Sequence, residues 1–270
     1  MKIRATKLTA IASAIQKLLG TFTPQSLFTS GVNGAWYDPS DFSTMFQDAA
    51  GTTPVTAVGQ PVGRILDKSG RGNHAYNPSG NSANYPVLQQ DGTGRYYLAF
   101  NGVNQWLRSI GSIDLTYGDK IFVAAGTRKL SDAARGMPVE FGDGSINTRQ
   151  FQINAPSGAT NDYRFTSSGS ASVNTTATGY TAPITNVISG IGDISGPKAV
   201  LRVNAAQAAI STASQGTGNY GNYPLYIGAR GGASLFFNGR LYGLVVAGKA
   251  ASAGEIASTE AWLNQKTGAY

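Results

Sequence analysis

The chain has 270 residues, 41% of them hydrophobic, with 35 Gly, 13 Tyr and 11 Phe, which suits one large all-β domain with a filled core. It carries no cysteine and one histidine, His74, so a disulfide framework, a thiolate nucleophile, a Cys-based zinc site and a multi-His metal cage are excluded. Charged residues make up only 13%, and the +7 formal charge is weighted to the front, where Lys2, Arg4, Lys7 and Lys17 precede the first acid, Asp38.

That basic front has a helical period. Leu8, Ile11, Ile15, Leu18 and Leu19 fall at i, i+3, i+7, i+10 and i+11, with Thr6 as N-cap and Gly20 as stop. A helix of about 13 residues is marginal alone and needs a surface to cover its apolar stripe. That surface is either the body of its own chain or a neighbouring subunit or particle. Gln16 and Lys17 interrupt the apolar run, so the segment does not read as a signal peptide, and no stretch of the chain is long and apolar enough for a membrane span. The arm also lacks a dense Lys/Arg cluster interleaved with aromatics, so specific nucleic-acid binding is not expected.

From Gly31 the text becomes all-β, with short apolar clusters between Gly, Pro, Asn and Asp turns. His74, the single candidate for a His-dependent general base, lies in the Gly-rich turn DKSGRGNHA and reads as an exposed or turn-packed ring. RYYLAF and QWLRSI flank Asn101-Gly102, a pairing that predicts a β-hairpin. Residues 114–129 read as a buried central strand with its lead-in turn, and the Thr-, Ser- and Gly-rich stretch 154–185 as edge strands and loops. Leu241, Leu244 and Val246 include both strand parities, which predicts a strand covered on both faces or a bulge. Ser252 and Glu255 have capping-box spacing, Ile256, Thr259 and Leu263 share one helical face, and Lys266 and Gly268 mark the end of a C-terminal helix across the sandwich edge.

The closing block LRVNAAQ, NYPLYIGAR, FFNGRLYGLVVAG and SAGEIASTEAWLNQKTG resembles the second half of a concanavalin A-like (laminin G-like) domain. FNGVNQWL is similar to a strand of the first half of such domains, and AWYDPSD with DKSGRGNHA to the entry strand and turn as found in virion proteins of bacterial viruses and in large bacterial surface proteins. The resemblance spans about residues 31–268. It implies an all-β, two-sheet antiparallel jelly-roll sandwich over residues 31–270, preceded by an amphipathic helical arm over 1–30 and closed by a short helix.

Concanavalin A-like folds host many glucanases, whose paired carboxylates sit on one strand at period-2 spacing. This chain has three glutamates: Glu255 and Glu260 fall on the terminal helix, and Glu140 has Asp143 at odd spacing, on the opposite face of a regular strand. No G-x-S-x-G elbow accompanies His74. Asp143, Ser145 and Asn147 offer alternate-residue oxygens for a weak calcium site, as do Asp67 and Asn73, although turn capping explains the same residues. Tyr76, Tyr163, Tyr180, Tyr220 and Tyr223 lie in Asn/Gly/Ser-rich text and are candidate sugar-stacking rings, with a Tyr-rich subunit interface as the competing reading. Trp36, Trp106 and Trp262 lie in strand or helix patterns and are expected in the core.

The resemblance implies a non-enzymatic virion structural protein: a tail appendage, neck or head-surface component assembled in the bacterial cytoplasm. Its arm would join other virion proteins, its copies would form a homo-oligomer, and its lectin-like domain would aid attachment to host glycans, with no cofactor beyond the calcium candidate. A free or cell-surface carbohydrate-binding module is the alternative, and a glycoside hydrolase the third reading.

Overall fold

The computed structural model describes residues 22–145 and 148–270. The arm stripe Leu8, Ile11, Ile15, Leu18 and Leu19, and the calcium candidate Asn147, lie outside the described residues. In chain order the strands begin β1 (Gly34–Tyr37), β2 (Met45–Phe46), β3 (Arg64–Ile65), β4 (Ala75–Tyr76), β5 (Val87–Gln90), β6 (Tyr96–Asn101) and β7 (Leu107–Ser109). They continue as β8 (Ile113–Asp114), β9 (Lys120–Lys129), β10 (Val139–Phe141), β11 (Phe151–Asn154), β12 (Asp162–Ser168) and β13 (Ser172–Thr178). The last are β14 (Ile184–Asp193), β15 (Lys198–Val203), β16 (Ala206–Ser211), β17 (Asn222–Tyr223), β18 (Leu225–Ile227) and β19 (Asn238–Ala247), followed by helix α1 (Ala253–Thr267).

These strands form the expected two-sheet antiparallel sandwich. One sheet has eight strands in the order β16-β15-β14-β9-β19-β6-β5, with β1 also paired to β19, and the other has nine in the order β13-β12-β11-β10-β18-β7-β4-β3-β2. Period-2 alternation turns one residue set of each strand inward. Val123, Ala125, Ile188, Leu244 and Val246 of the eight-stranded sheet meet Val139, Phe141, Phe151, Phe165 and Leu225 of the other.

The eight-stranded sheet is also apolar on its outer face. Phe122, Ala124, Val187, Val245 and Ala247 form a second core with Trp262 and Leu263 of α1 and with Leu27 and Phe28. This explains the doubled parity of β19, which is covered on both faces and carries a register shift between Leu241 and Gly243. Leu27 and Phe28 belong to a 3₁₀ helix, Pro24–Gly31, so the residue-30 boundary expected for the arm falls inside a packed segment. Burying those two side chains stabilises the segment by roughly 1.5–3 kcal/mol each.

Helix α1 has the predicted capping box, with the Glu255 amide donating to Ser252 Oγ at 3.2 Å and the Ser252 amide donating to Glu255 Oε2 at 2.8 Å, and it ends on Gly268 in the left-handed region. It lies across β9, β14 and β19 in mid-sheet rather than along the sandwich edge. Arg202 of β15 holds it through Nε and Nη2, which donate to the two Glu260 oxygens at 2.8 and 3.0 Å. No helix among the described residues is long and apolar enough to cross a membrane.

The hairpin expected at Asn101-Gly102 does not form. Asn101 and Gly102 do turn the chain, with the Val103 and Asn104 amides donating to Asn101 Oδ1 at 2.9 and 3.1 Å, but β6 and β7 enter different sheets. β6 pairs with β5 and β19, which leaves residues 103–106 to cross the sandwich edge and deliver β7 to β18 and β4.

Candidate functional site

The nine-stranded sheet is different on its outer face. Val139 and Phe141 point into the inter-sheet core, so Glu140 between them points out. Register then builds a row: Glu140 faces Gln152 on one side and Tyr226 on the other. Beyond Gln152 come Thr166 and Asn174, and beyond Tyr226 come Arg108, Tyr76 and Arg64. A second row places Asn154 beside Arg164 and Arg164 beside Thr176. The packed helices fall on the other sheet, α1 against β9, β14 and β19 and the 3₁₀ helix against β1 and β19.

The middle of the row is a floor and its flanks are walls. Glu140, Gln152, Asn154 and Tyr226 are buried, while Arg64, Tyr76, Trp106, Arg108, Arg135, Arg164 and Arg230 are half-buried. A hydrogen-bond chain runs along the floor. Arg135 Nε donates to Asn154 Oδ1 at 2.5 Å, Arg135 Nη2 donates to Gln152 Oε1 at 3.3 Å, and Gln152 Nε2 donates to Glu140 Oε1 at 3.3 Å. The Gly231 amide donates to Glu140 Oε2 at 2.6 Å, and Arg230 Nε lies 3.7 Å from Oε1. The aromatic flank has Trp106 and Tyr226 with ring centroids 6.0 Å apart, and the Arg108 guanidinium 5.7 Å from the Tyr76 ring. Gly232 lets Trp106 settle there, since a Cβ on it would lie 2.6 Å from the indole.

Burial raises the Glu140 carboxyl pKa to about 7, against the pull of the Gly231 amide, Arg230 and Arg135 and with a push from Asp143. Burial also lowers the pKa of Arg135, and Arg164 and Arg230 lower it further by like-charge repulsion. Asn154 is fully buried, and its Nδ2 has no hydrogen-bond partner among the described residues. Leaving a buried donor unmatched costs about 1–3 kcal/mol.

The five candidate tyrosines do not form a platform. Tyr76 alone sits on the row just described. Tyr163 is buried between the sheets with its hydroxyl donating to Asn186 Oδ1 at 2.9 Å, and Tyr220 is buried with its hydroxyl 2.6 Å from Ser167 Oγ. Burial raises both hydroxyl pKa values. These two are core residues, not exposed rings. Glycine in this region makes room for an inward ring, as at Gly192, where a Cβ would lie 2.1 Å from the Tyr220 hydroxyl. Half-buried Tyr180 packs on Tyr163 with centroids 5.0 Å apart, and Tyr223 packs on Phe141 at 5.7 Å. Trp36 and Trp262 are in the outer core, whereas Trp106, expected in a core, is half-buried on the aromatic flank.

Both calcium candidates are turn caps. Asp143 Oδ1 accepts from the Ser145 amide at 2.9 Å and from Ser145 Oγ at 3.0 Å. Asp67 accepts from the Trp36, Ser69 and Asn73 amides and from Ser69 Oγ, at 2.6 to 3.0 Å, which occupies both of its oxygens. Among the described residues no three acidic or histidine side chains gather for a metal. His74 Nδ1 accepts from the Asp67 amide at 3.0 Å, in the same turn.

The fold is that of a lectin-like β-sandwich. No protein-family model matches the chain, and no curated protein matches it in sequence. Among solved structures it is similar to the binding domain of botulinum neurotoxin DC in complex with SialylT, with TM-score 0.53, 10% identity, and coverage of 74% of this chain and 48% of that one. It is also similar to a botulinum neurotoxin type C structure described as interacting with two ganglioside molecules, with TM-score 0.54, 9% identity, and coverage of 74% and 48%. A third is the Trypanosoma rangeli sialidase in complex with the inhibitor DANA, with TM-score 0.53, 12% identity, and coverage of 86% and 33%. The chain spans about half the length of the first two and a third of the sialidase. At these identities the likeness is one of fold.

Proposed function

We propose that the chain is a carbohydrate-binding module and that its ligand lies on the outer face of the nine-stranded sheet. The observation that carries this is the pairing of Trp106, Tyr226 and Tyr76 with a hydrogen-bonding floor of Gln152, Asn154 and Glu140 in adjoining registers of one face. Sugar rings need both, because their C–H faces stack on aromatics while their hydroxyls require directional partners. The solved sandwiches it resembles include ones described with SialylT and with gangliosides, which adds support. Glu140 sits among Arg230, Arg135 and Gln152, in hydrogen-bond and ion-pair contacts that hold its carboxylate in place, and this favours binding over paired-carboxylate hydrolysis. A glycan array probed with the full chain tests the reading. Retained glycans should be lost in Trp106→Ala, and an array without hits would overturn it.

The finer reading, a virion structural component attached through its N-terminal arm, is supported by the basic amphipathic period of residues 1–20. Leu27 and Phe28 add to this, because they seat the start of the described chain on the face opposite the groove. Deletion of residues 1–21, which spares those two side chains, should leave a folded domain that no longer joins its assembly. A truncated chain that assembles normally would refute the arm's role.

A further inference from the structure

Arginines line both ends of the groove, Arg64 and Arg108 at one and Arg135 and Arg164 at the other. At its Asn154 end, Arg135 donates only to neutral oxygens, Oδ1 of Asn154 and Oε1 of Gln152, and Arg164 Nε donates to Thr176 Oγ1 at 3.2 Å. A guanidinium carries five N–H donors, so both arginines retain donors beyond these bonds. Nearby carboxylates act on these arginines by charge, Glu140 on Arg135 and Asp162 on Arg164, while their hydrogen bonds go to other groups. Glu140 takes the Gly231 amide, and Asp162 accepts from the Ser157 amide and hydroxyl and from Thr160 Oγ1 at 2.8, 2.5 and 2.7 Å. Arg135 and Arg164 repel one another, and the buried Asn154 Nδ2 sits in the same register as Arg164 without an acceptor among the described residues.

We infer that this end of the groove is an anion subsite, where the carboxylate or sulfate of an acidic saccharide is held by Arg135 and Arg164 with Asn154 Nδ2 as a third donor. The inference rests on the saccharide-binding reading and names its ligand class. Guanidinium groups match planar carboxylates in paired, charge-assisted bonds, and an anion here would relieve the repulsion between the two arginines while supplying the missing acceptor. The aromatic flank makes a saccharide the carrier of that anion. Asn154 on β11 and Tyr226 on β18 are separated by one strand, β10, and by two residues of register, so about 12 Å divides the anion subsite from the stacking surface at ordinary strand spacing and rise. A disaccharide with one acidic unit can occupy both.

The test uses the full chain with three probes: sodium sulfate read by thermal melting, an array of sialylated, uronate-bearing and sulfated oligosaccharides, and their neutral counterparts. Acidic glycans should be retained in preference to neutral ones. Arg164→Gln should weaken their binding by about tenfold or more while melting like the parent, because its half-buried side chain makes one 3.2 Å bond to Thr176 and contributes little to the core. Arg135→Lys, which keeps the charge but not the paired donors, should weaken it as well and guards against misfolding of a more drastic variant. Equal retention of acidic and neutral glycans would overturn the anion subsite and leave the carbohydrate module standing. Sulfate protection that vanishes in Arg164→Gln, with no glycan retained, would overturn the saccharide as ligand and assign the site to a free anion. No retention and no sulfate effect would overturn both.

Discussion

The two outer faces of this sandwich are built from the same alternation and reach opposite ends. On the eight-stranded sheet the outward residues Phe122, Ala124, Val187 and Val245 are apolar, and a helix and a 3₁₀ segment seal them. On the nine-stranded sheet the outward residues Glu140, Gln152, Asn154, Arg108 and Arg164 are polar, and the buried ones bond along the row except at Asn154 Nδ2, which has no partner among the described residues. One face is organised by transfer of apolar surface from water, which tolerates any well-shaped partner. The other is organised by hydrogen bonds and charge, where each unmatched group is costly. That difference marks which face is scaffold and which is site.

Four substitutions probe the contrast. Phe122→Ala, under the sealed face, should cost about 3–5 kcal/mol in urea unfolding. A cost below that of a surface substitution would mean the outer core is not a core. Glu140→Gln should do the reverse. Burial raises the folded-state pKa of Glu140 from 4.5 to about 7, so folding takes up a proton, and the stability this gives is full below about 4.5 and is lost as the pH rises through about 7. The glutamine should therefore gain roughly 3 kcal/mol on the parent at pH 8 and nothing at pH 4. An equal gain at both values would refute a buried ionised carboxylate. Ser252→Ala removes the α1 N-cap and should cost about 1 kcal/mol, read as a lower melting temperature. Arg164→Gln, on the groove wall, should stay within about 0.5 kcal/mol of the parent, so any loss of ligand would be a loss of contact, not of fold.

What the sequence discloses follows the range of each interaction. The C-terminal helix is legible because Ser252, Glu255 and Gly268 make its ends from neighbours in the chain. The central strand is legible because Lys120–Lys129 is buried on both faces and its apolar run is continuous. The Asn101-Gly102 turn is legible as a turn, but the sheet that each flanking strand joins is decided by β19 and β18, more than a hundred residues away. The same holds for the groove. Arg135, Asn154, Arg164 and Arg230 become neighbours only through register between strands and through two loops, and nothing in their spacing announces it. The one local signal was Glu140 between Val139 and Phe141, an acid turned outward from two core positions. Loop-like wording around Tyr163 and Tyr220 misdirects for a steric reason: small residues there leave space for inward rings.

The seating of Leu27 and Phe28 also has a mechanical meaning. If the chain is held at its front and a ligand is held in the groove, the two loads act on opposite faces of the sandwich and pull across the sheets, not along their strands. The hydrogen-bonded ladders are then spared, and the load falls first on the segment 22–31, which Phe22, Leu27 and Phe28 pack on the outer core and which hydrogen bonds from Gln25 to Ser69 and from Arg71 to Phe28 also tie down. With roughly 3–6 kcal/mol of burial behind it, that segment would peel before either core opened. Under such a load the segment would act as a fuse, lengthening the tether while the groove keeps its shape.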